Sequence, residues 1–125
     1  MARILLAEDE DALRNYIARA LTQDGHEVVA AADGAEALDK LTRDQAGFAL
    51  LLADIRMPVM DGIALALAAA RDHPDLTILL MTGFADQRER AHGLDALIHD
   101  VITKPFSIDE IKMAVRGALV GRAQN

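Results

Sequence analysis

A doubly wound α/β fold, a five-stranded parallel sheet carrying five helices, is predicted from three observations. Short apolar runs alternate five times with longer segments of helical period. Two of the runs, FALLLADI and LTILLMTG, are almost wholly apolar, as strands covered on both faces of a parallel sheet must be. The connections are short, so successive runs and helices pack as β/α repeats rather than as separate layers.

The elements follow in order. Strands are expected at Arg3–Glu8, Glu27–Ala32, Ala49–Asp54, Thr77–Thr82 and Val101–Thr103. The first helix, Asp11–Asp24, places Leu13, Tyr16, Ile17, Ala20 and Leu21 on one apolar stripe and stops at Gly25. The second, Ala35–Arg43, presents Ala37, Leu38 and Leu41. The third, Ile63–Asp72, is rich in Ala and Leu and ends ahead of His73-Pro74. The fourth, from Asp86 to about Leu97, is the weakest, because Gly93 falls inside it. The fifth, Ser107–Leu119, opens with SIDE, a capping box in which Ser107 and Glu110 satisfy each other's free amides. Residues 1–121 read as one domain and 122–125 as a short polar tail.

Composition excludes several classes of function. The 125 residues carry a formal charge of -7, which argues against nucleic acid or an anionic membrane as partner. Aromatic residues are only 3%, too few for a base-stacking surface. There is no cysteine, so disulfides and thiolate metal sites are excluded and a cytoplasmic location is expected. No signal-peptide core or membrane-spanning run is present. The four histidines are scattered and suggest no metal site, and Met57, Met60, Met81 and Met113 read as packing residues.

The chemistry is expected where the strands end, because ligands of doubly wound folds bind outside the carboxyl edge of the sheet. The first strand runs into Glu8-Asp9-Glu10-Asp11, four carboxylates in succession. Asp54 ends the third strand, Thr82 ends the fourth and Lys104 follows the fifth. Each has a simpler role when taken alone: a turn former, a helix N-terminus favouring negative charge, a loop start. Together they place Glu8, Asp9 and Asp54 around an anionic pocket suited to a hard divalent cation such as Mg²⁺, which prefers oxygen ligands.

LLAEDE, LLADIRMPVMDG, TGFA and ITKPF, in this order and spacing, resemble the receiver domain of two-component response regulators over nearly the whole chain. The resemblance implies a flavodoxin-like strand order of 2-1-3-4-5. It also implies Asp54 as phosphoacceptor, with Mg²⁺ held by Glu8, Asp9, Asp54 and the backbone carbonyl of Arg56. Thr82 matches the switch hydroxyl, Lys104 the phosphoryl-binding lysine, and Lys104-Pro105 a cis peptide. The expected partners are a histidine kinase or histidine phosphotransfer protein as donor, docking on Leu13, Arg14, Pro105 and Phe106, with Arg14 exposed beside the site. No output domain follows the fifth helix, so output through contacts with another protein is expected.

The rival class is a Mg²⁺-dependent phosphatase with an aspartyl nucleophile. Such enzymes place a second Asp two positions on as general acid, and here that position is Arg56, which cannot donate a proton at neutral pH. The chain is therefore read as a phosphoacceptor that catalyses only its own phosphorylation and dephosphorylation. Among receivers, TGFA, Val101 and the absence of an output domain resemble the CpdR-type single-domain regulators, which act in a phosphorelay and prime a ClpXP-type protease. The alternative is a stand-alone regulator of the chemotaxis type. Receivers usually carry Tyr or Phe where this chain has Val101, whose β-branched side chain has few rotamers. The signal is therefore expected to pass through the loop Gly83-Phe84-Ala85 and the fourth helix.

Overall fold

Strands and helices alternate without exception along the chain. They are β1 (Arg3–Ala7), α1 (Asp11–Gln23), β2 (Glu27–Ala31), α2 (Gly34–Arg43), β3 (Leu50–Asp54), α3 (Gly62–Asp72), β4 (Thr77–Thr82), α4 (Ala85–His92), β5 (Asp100–Thr103) and α5 (Ile108–Ala123). The structure, a computed structural model, describes residues 2–44 and 47–123. The five strands form one parallel sheet in the order β2-β1-β3-β4-β5. Helix α5 runs into the expected tail as far as Ala123, and Gln124 and Asn125 lie outside the described residues.

The pleat of each strand sorts its side chains between two cores. Ile4 and Leu6 of β1, Leu50 and Leu52 of β3, and Leu79 and Met81 of β4 face one side. There they meet Ile17 and Leu21 of α1 and Ile111, Val115 and Ala118 of α5. The alternate residues Leu5, Ala7, Leu51, Ala53, Ile78 and Leu80 pack on the other side against Ala37 and Leu41 of α2, Leu65 of α3 and Ala91 of α4. Burial of both faces is why β3 and β4 read as continuous apolar runs.

Helix ends are set by local chemistry. The Asp33 carboxylate accepts from the Glu36 amide at 2.8 Å to cap α2, and that of Asp61 accepts from the Ala64 amide at 2.8 Å to cap α3. Ser107 and Glu110 form the reciprocal box expected for α5, with both amide contacts at 3.1 Å. After α1, Gly25 takes φ +93°, a conformation that a Cβ would resist.

Three expectations are corrected. Tyr16 is not on the buried stripe of α1 but is 46% exposed, because the covered arc is filled by Ile17, Ala20 and Leu21. Met113 does not pack and lies on the outer face of α5. Helix α4 stops at His92 with Gly93 as its C-cap, rather than continuing to Leu97. Beyond it the chain tightens into turns, with the Leu94 amide donating to Ala91 O and the Leu97 amide to Leu94 O, three residues back in each case. Only Ala91 of α4 is buried.

One non-glycine residue holds a left-handed backbone among those described: Val59, with φ +69°, in the loop between β3 and α3. Its side chain is exposed, so no packing offsets the clash between a β-branched residue and that conformation. Val59→Gly is expected to stabilise the fold by about 1 kcal/mol in denaturant unfolding. Equal or lower stability would show that the loop carries no strain.

Candidate functional site

Strand alternation places the charges. Glu8 continues the series Ile4, Leu6 on the side of the sheet covered by α1 and α5. Asp54 continues Leu50, Leu52, and Lys104 continues from Ile102, toward the same side. Lys104 Nζ lies 3.0 Å from Glu8 Oε1 and 3.0 Å from Asp54 Oδ1, so one ammonium is shared by two buried carboxylates. The other Glu8 oxygen, Oε2, accepts from the Glu10 amide at 3.0 Å. Asp9 is exposed at the mouth. These side chains, with Glu10, Arg56, Gly83 and Phe84, line an open cavity of about 480 Å³.

Burial pushes the Asp54 carboxyl above its usual range, against the Lys104 ammonium, while the Asp9 charge pushes the same way. Glu8 is raised chiefly by burial as well, with the charge of Asp54 adding to it. Burial also works against the Lys104 charge, yet its contacts with Glu8 and Asp54 prevail and raise its pKa. Four carboxylates, Glu8, Asp9, Glu10 and Asp54, against the Lys104 ammonium and the Arg56 guanidinium leave the pocket net negative. Glu8, Asp9 and Asp54 can each offer an oxygen within 4.8 Å of the others, a donor set that fits a hard divalent cation. Asp9, which makes no described hydrogen bond or ion pair, is the carboxylate of the three that Lys104 leaves uncompensated.

The surrounding backbone is held by close contacts. Arg14 Nη1 donates to the Glu8 carbonyl at 2.9 Å and Nη2 to Asp11 Oδ1 at 2.6 Å, fixing the turn that carries Glu8 and Asp9. Arg14 was expected to stand exposed; its side chain is only 18% exposed because both contacts draw it onto that turn. The Gly62 amide donates to Ile55 O at 2.9 Å, closing the loop after β3. A Cβ on Gly62 would lie 2.3 Å from the Asp54 carbonyl oxygen, so only glycine lets this loop return so close to the acidic residue. The Lys104-Pro105 peptide is cis.

Thr82 has the opposite parity, following Ile78 and Leu80, and is not among the residues lining the cavity. Its buried hydroxyl donates to Gln87 Oε1 at 2.8 Å and accepts from the Phe84 amide at 3.1 Å. Phe84 is 47% exposed, with the Arg56 guanidinium 5.2 Å from its ring centre, a cation–π contact across the mouth. Gly83 and Ala85 are exposed, and Val101 is buried in the core beneath α4. Leu13 and Phe106 are half-buried against the α1–α5 core, and Pro105 is exposed. Sequence reasoning missed Gln87, the anchoring role of Arg14 and the stacking of Arg56. No motif marks the first or the last. The i, i+3 spacing of Asp11 and Arg14 was the one available signal for the second.

A parallel 2-1-3-4-5 sheet with this acidic and lysine-bearing rim defines the class, and the response regulator receiver domain model matches residues 4–116: the chain belongs to that family of phosphoacceptor signalling domains of two-component systems. Histidine kinases or phosphotransfer proteins are the phosphodonors of such domains, and Mg²⁺ binds at their acidic site. The chain is 38% identical over 120 residues to the response regulator receiver protein CpdR of Brucella abortus, covering 96% of this chain and 98% of that protein. It is 36% identical over 117 residues to the response regulator MprA of Mycobacterium leprae, but spans only 50% of that protein's length. A CheY-like receiver domain protein from Methanospirillum hungatei superposes with a TM-score of 0.91 at 27% identity, covering 99% of this chain and 98% of that one. TrrA of Thermotoga maritima, solved in complex with Mg²⁺-BeF, superposes at 0.85 with 29% identity, covering 94% of this chain and 99% of its own. No described helix is long and apolar enough to cross a membrane.

The charge imbalance makes a prediction. Asp9→Asn removes one uncompensated charge, so in a chelator it should melt above the wild type, by a few degrees for about 1 kcal/mol. In excess Mg²⁺ the order should reverse, because the wild type gains more from the ion. A wild-type melting curve indifferent to Mg²⁺ would contradict the pocket.

Proposed function

We propose that Asp54 accepts a phosphoryl group from a phosphohistidine donor and that the chain signals by phosphorylation-dependent contacts with another protein. The observation that carries this reading is the bridge from Lys104 to both Glu8 and Asp54, which sets a carboxylate oxygen and a cation side by side at the floor of an open cavity.

The chemistry follows from the residues present. An Asp54 oxygen attacks phosphorus as the P–N bond of the donor breaks, and the bonding electron pair leaves with the imidazole nitrogen. With acetyl phosphate the P–O bond breaks and acetate leaves. Lys104 stays within reach of the oxygens on which charge develops, and its raised pKa keeps it an ammonium throughout. Attack of water on the acyl phosphate returns the free Asp54 carboxylate and inorganic phosphate, so the mark is temporary. Glu8, Asp9, Asp54 and the backbone carbonyl of Arg56 would hold Mg²⁺, which when bound supplies further positive charge to the phosphoryl oxygens.

The finer reading is of a cytoplasmic, CpdR-like single-domain regulator that controls a ClpXP-type protease. Its support is the similarity to CpdR over 98% of that protein's length. Donor docking on Leu13, Arg14, Pro105 and Phe106 is supported by the half-buried Leu13 and Phe106, which share one core. Thr82, Gly83, Phe84 and Ala85 would carry the signal.

Asp54→Asn tests the reading. Labelling from acetyl phosphate or a phosphohistidine protein should fall to background while the circular dichroism spectrum is unchanged. Base-labile phosphate persisting on the variant would overturn the assignment.

A further inference from the structure

The Thr82 hydroxyl has one proton and, in this structure, that proton is already committed to Gln87 Oε1. The oxygen is engaged too, accepting from the Phe84 amide. A phosphoryl oxygen on Asp54 can receive a hydrogen bond from Thr82 only if Gln87 gives the proton up. We propose that Gln87 is a positioning residue: its side-chain carbonyl competes with the phosphoryl group for the single Thr82 proton, and its release frees the first turn of α4. This rests on the reading of Asp54 as phosphoacceptor.

The way α4 is attached makes the competition consequential. The helix buries only Ala91, and its N-cap residue Phe84 supplies no side-chain cap. Two side-chain hydrogen bonds tie its first turns to the carboxyl edge of the sheet. One is Thr82 to Gln87, at the end of β4. The other is Arg88 Nη1 donating to the Thr103 hydroxyl, at the end of β5. Thr82 and Thr103 are register partners on adjacent strands, and the Lys104 amide donates to Thr82 O at 2.8 Å. Losing the Gln87 contact therefore removes one of two polar tethers from a helix with almost no apolar anchorage. Val101, buried beneath that helix, needs no rotation for this to happen. Gln87 thus supplies the route that the absence of an aromatic residue at position 101 leaves open.

The size of the effect is that of one neutral hydrogen bond in an equilibrium, about fivefold. The experiment is a titration of the full chain with beryllofluoride and Mg²⁺, followed by ¹⁵N–¹H NMR, for wild type, Gln87→Met, Gln87→Ala, Thr82→Val and the Gln87→Met/Thr82→Val double variant. Met keeps the length of Gln without the acceptor, and Val keeps the shape of Thr without the proton. Gln87→Met and Gln87→Ala should each bind beryllofluoride about fivefold more tightly than wild type. Thr82→Val should bind more weakly, and adding Gln87→Met to it should change nothing. In ligand-free Gln87→Met, the amides of residues 85–92 should move toward their beryllofluoride-bound wild-type positions. Equal affinity of wild type and both Gln87 variants would overturn the competition, as would a fivefold gain that survives in the Thr82→Val background. Wild-type spectra unmoved by beryllofluoride would overturn the phosphoacceptor reading and the competition with it.

Discussion

The sharing of the Lys104 ammonium between Glu8 and Asp54 is the contact on which the rest of the rim depends. Two carboxylates drawn out of water and held close cannot both stay ionised at little cost unless a cation stands between them. Lys104 reaches both because three strand ends lie side by side with the same pleat parity, Ile4-Leu6-Glu8, Leu50-Leu52-Asp54 and Ile102-Lys104. A slip of one residue in any of these strands would turn its charged group toward α2, α3 and α4. The apolar packing of the sheet and the electrostatics of the rim are thus fixed by one register.

That parity also separates two jobs. The carboxylates and the lysine face the α1–α5 side, while Thr82 faces the α4 side and meets Gln87. The Asp54 carboxylate and the attachment of α4 lie on opposite sides of one sheet edge, joined in this structure by backbone contacts such as the Lys104 amide to Thr82 O; in the proposed competition the Thr82 hydroxyl becomes a second link. The shallow anchoring of α4, which buries only Ala91, fits the proposed release of that helix, since an element that is to move cannot be held by a deep core.

The fold was legible because its strands are short, continuous and flanked by helices whose apolar stripes are clear. The gathering of Glu8, Asp9, Asp54 and Lys104 around one cavity was legible for the related reason that each ends a strand or follows one, whereas Thr82, also at a strand end, faces the α4 side. The capping box at Ser107 and Glu110 was visible in four letters. The misplaced parts have physical causes. Tyr16 fits the helical period of its stripe, but period alone does not tell how wide an arc the sheet covers. The end of α4 shifted because Gly93, read as a flaw inside a helix, is its stop. Gln87 and the Arg56 side chain's contact with Phe84 carried no signal, since both arise from contacts that only tertiary structure creates.

If one ammonium neutralises two carboxylates that would also be metal ligands, Lys104 and the divalent cation compete for the same oxygens. Calorimetric titration of Mg²⁺ into wild type and Lys104→Met, at pH 8 to keep the carboxyls ionised, measures that competition directly. Removal of the ammonium should tighten Mg²⁺ binding, by about tenfold for one unit charge at close range in a partly buried site. Unchanged or weaker binding in Lys104→Met would contradict the account.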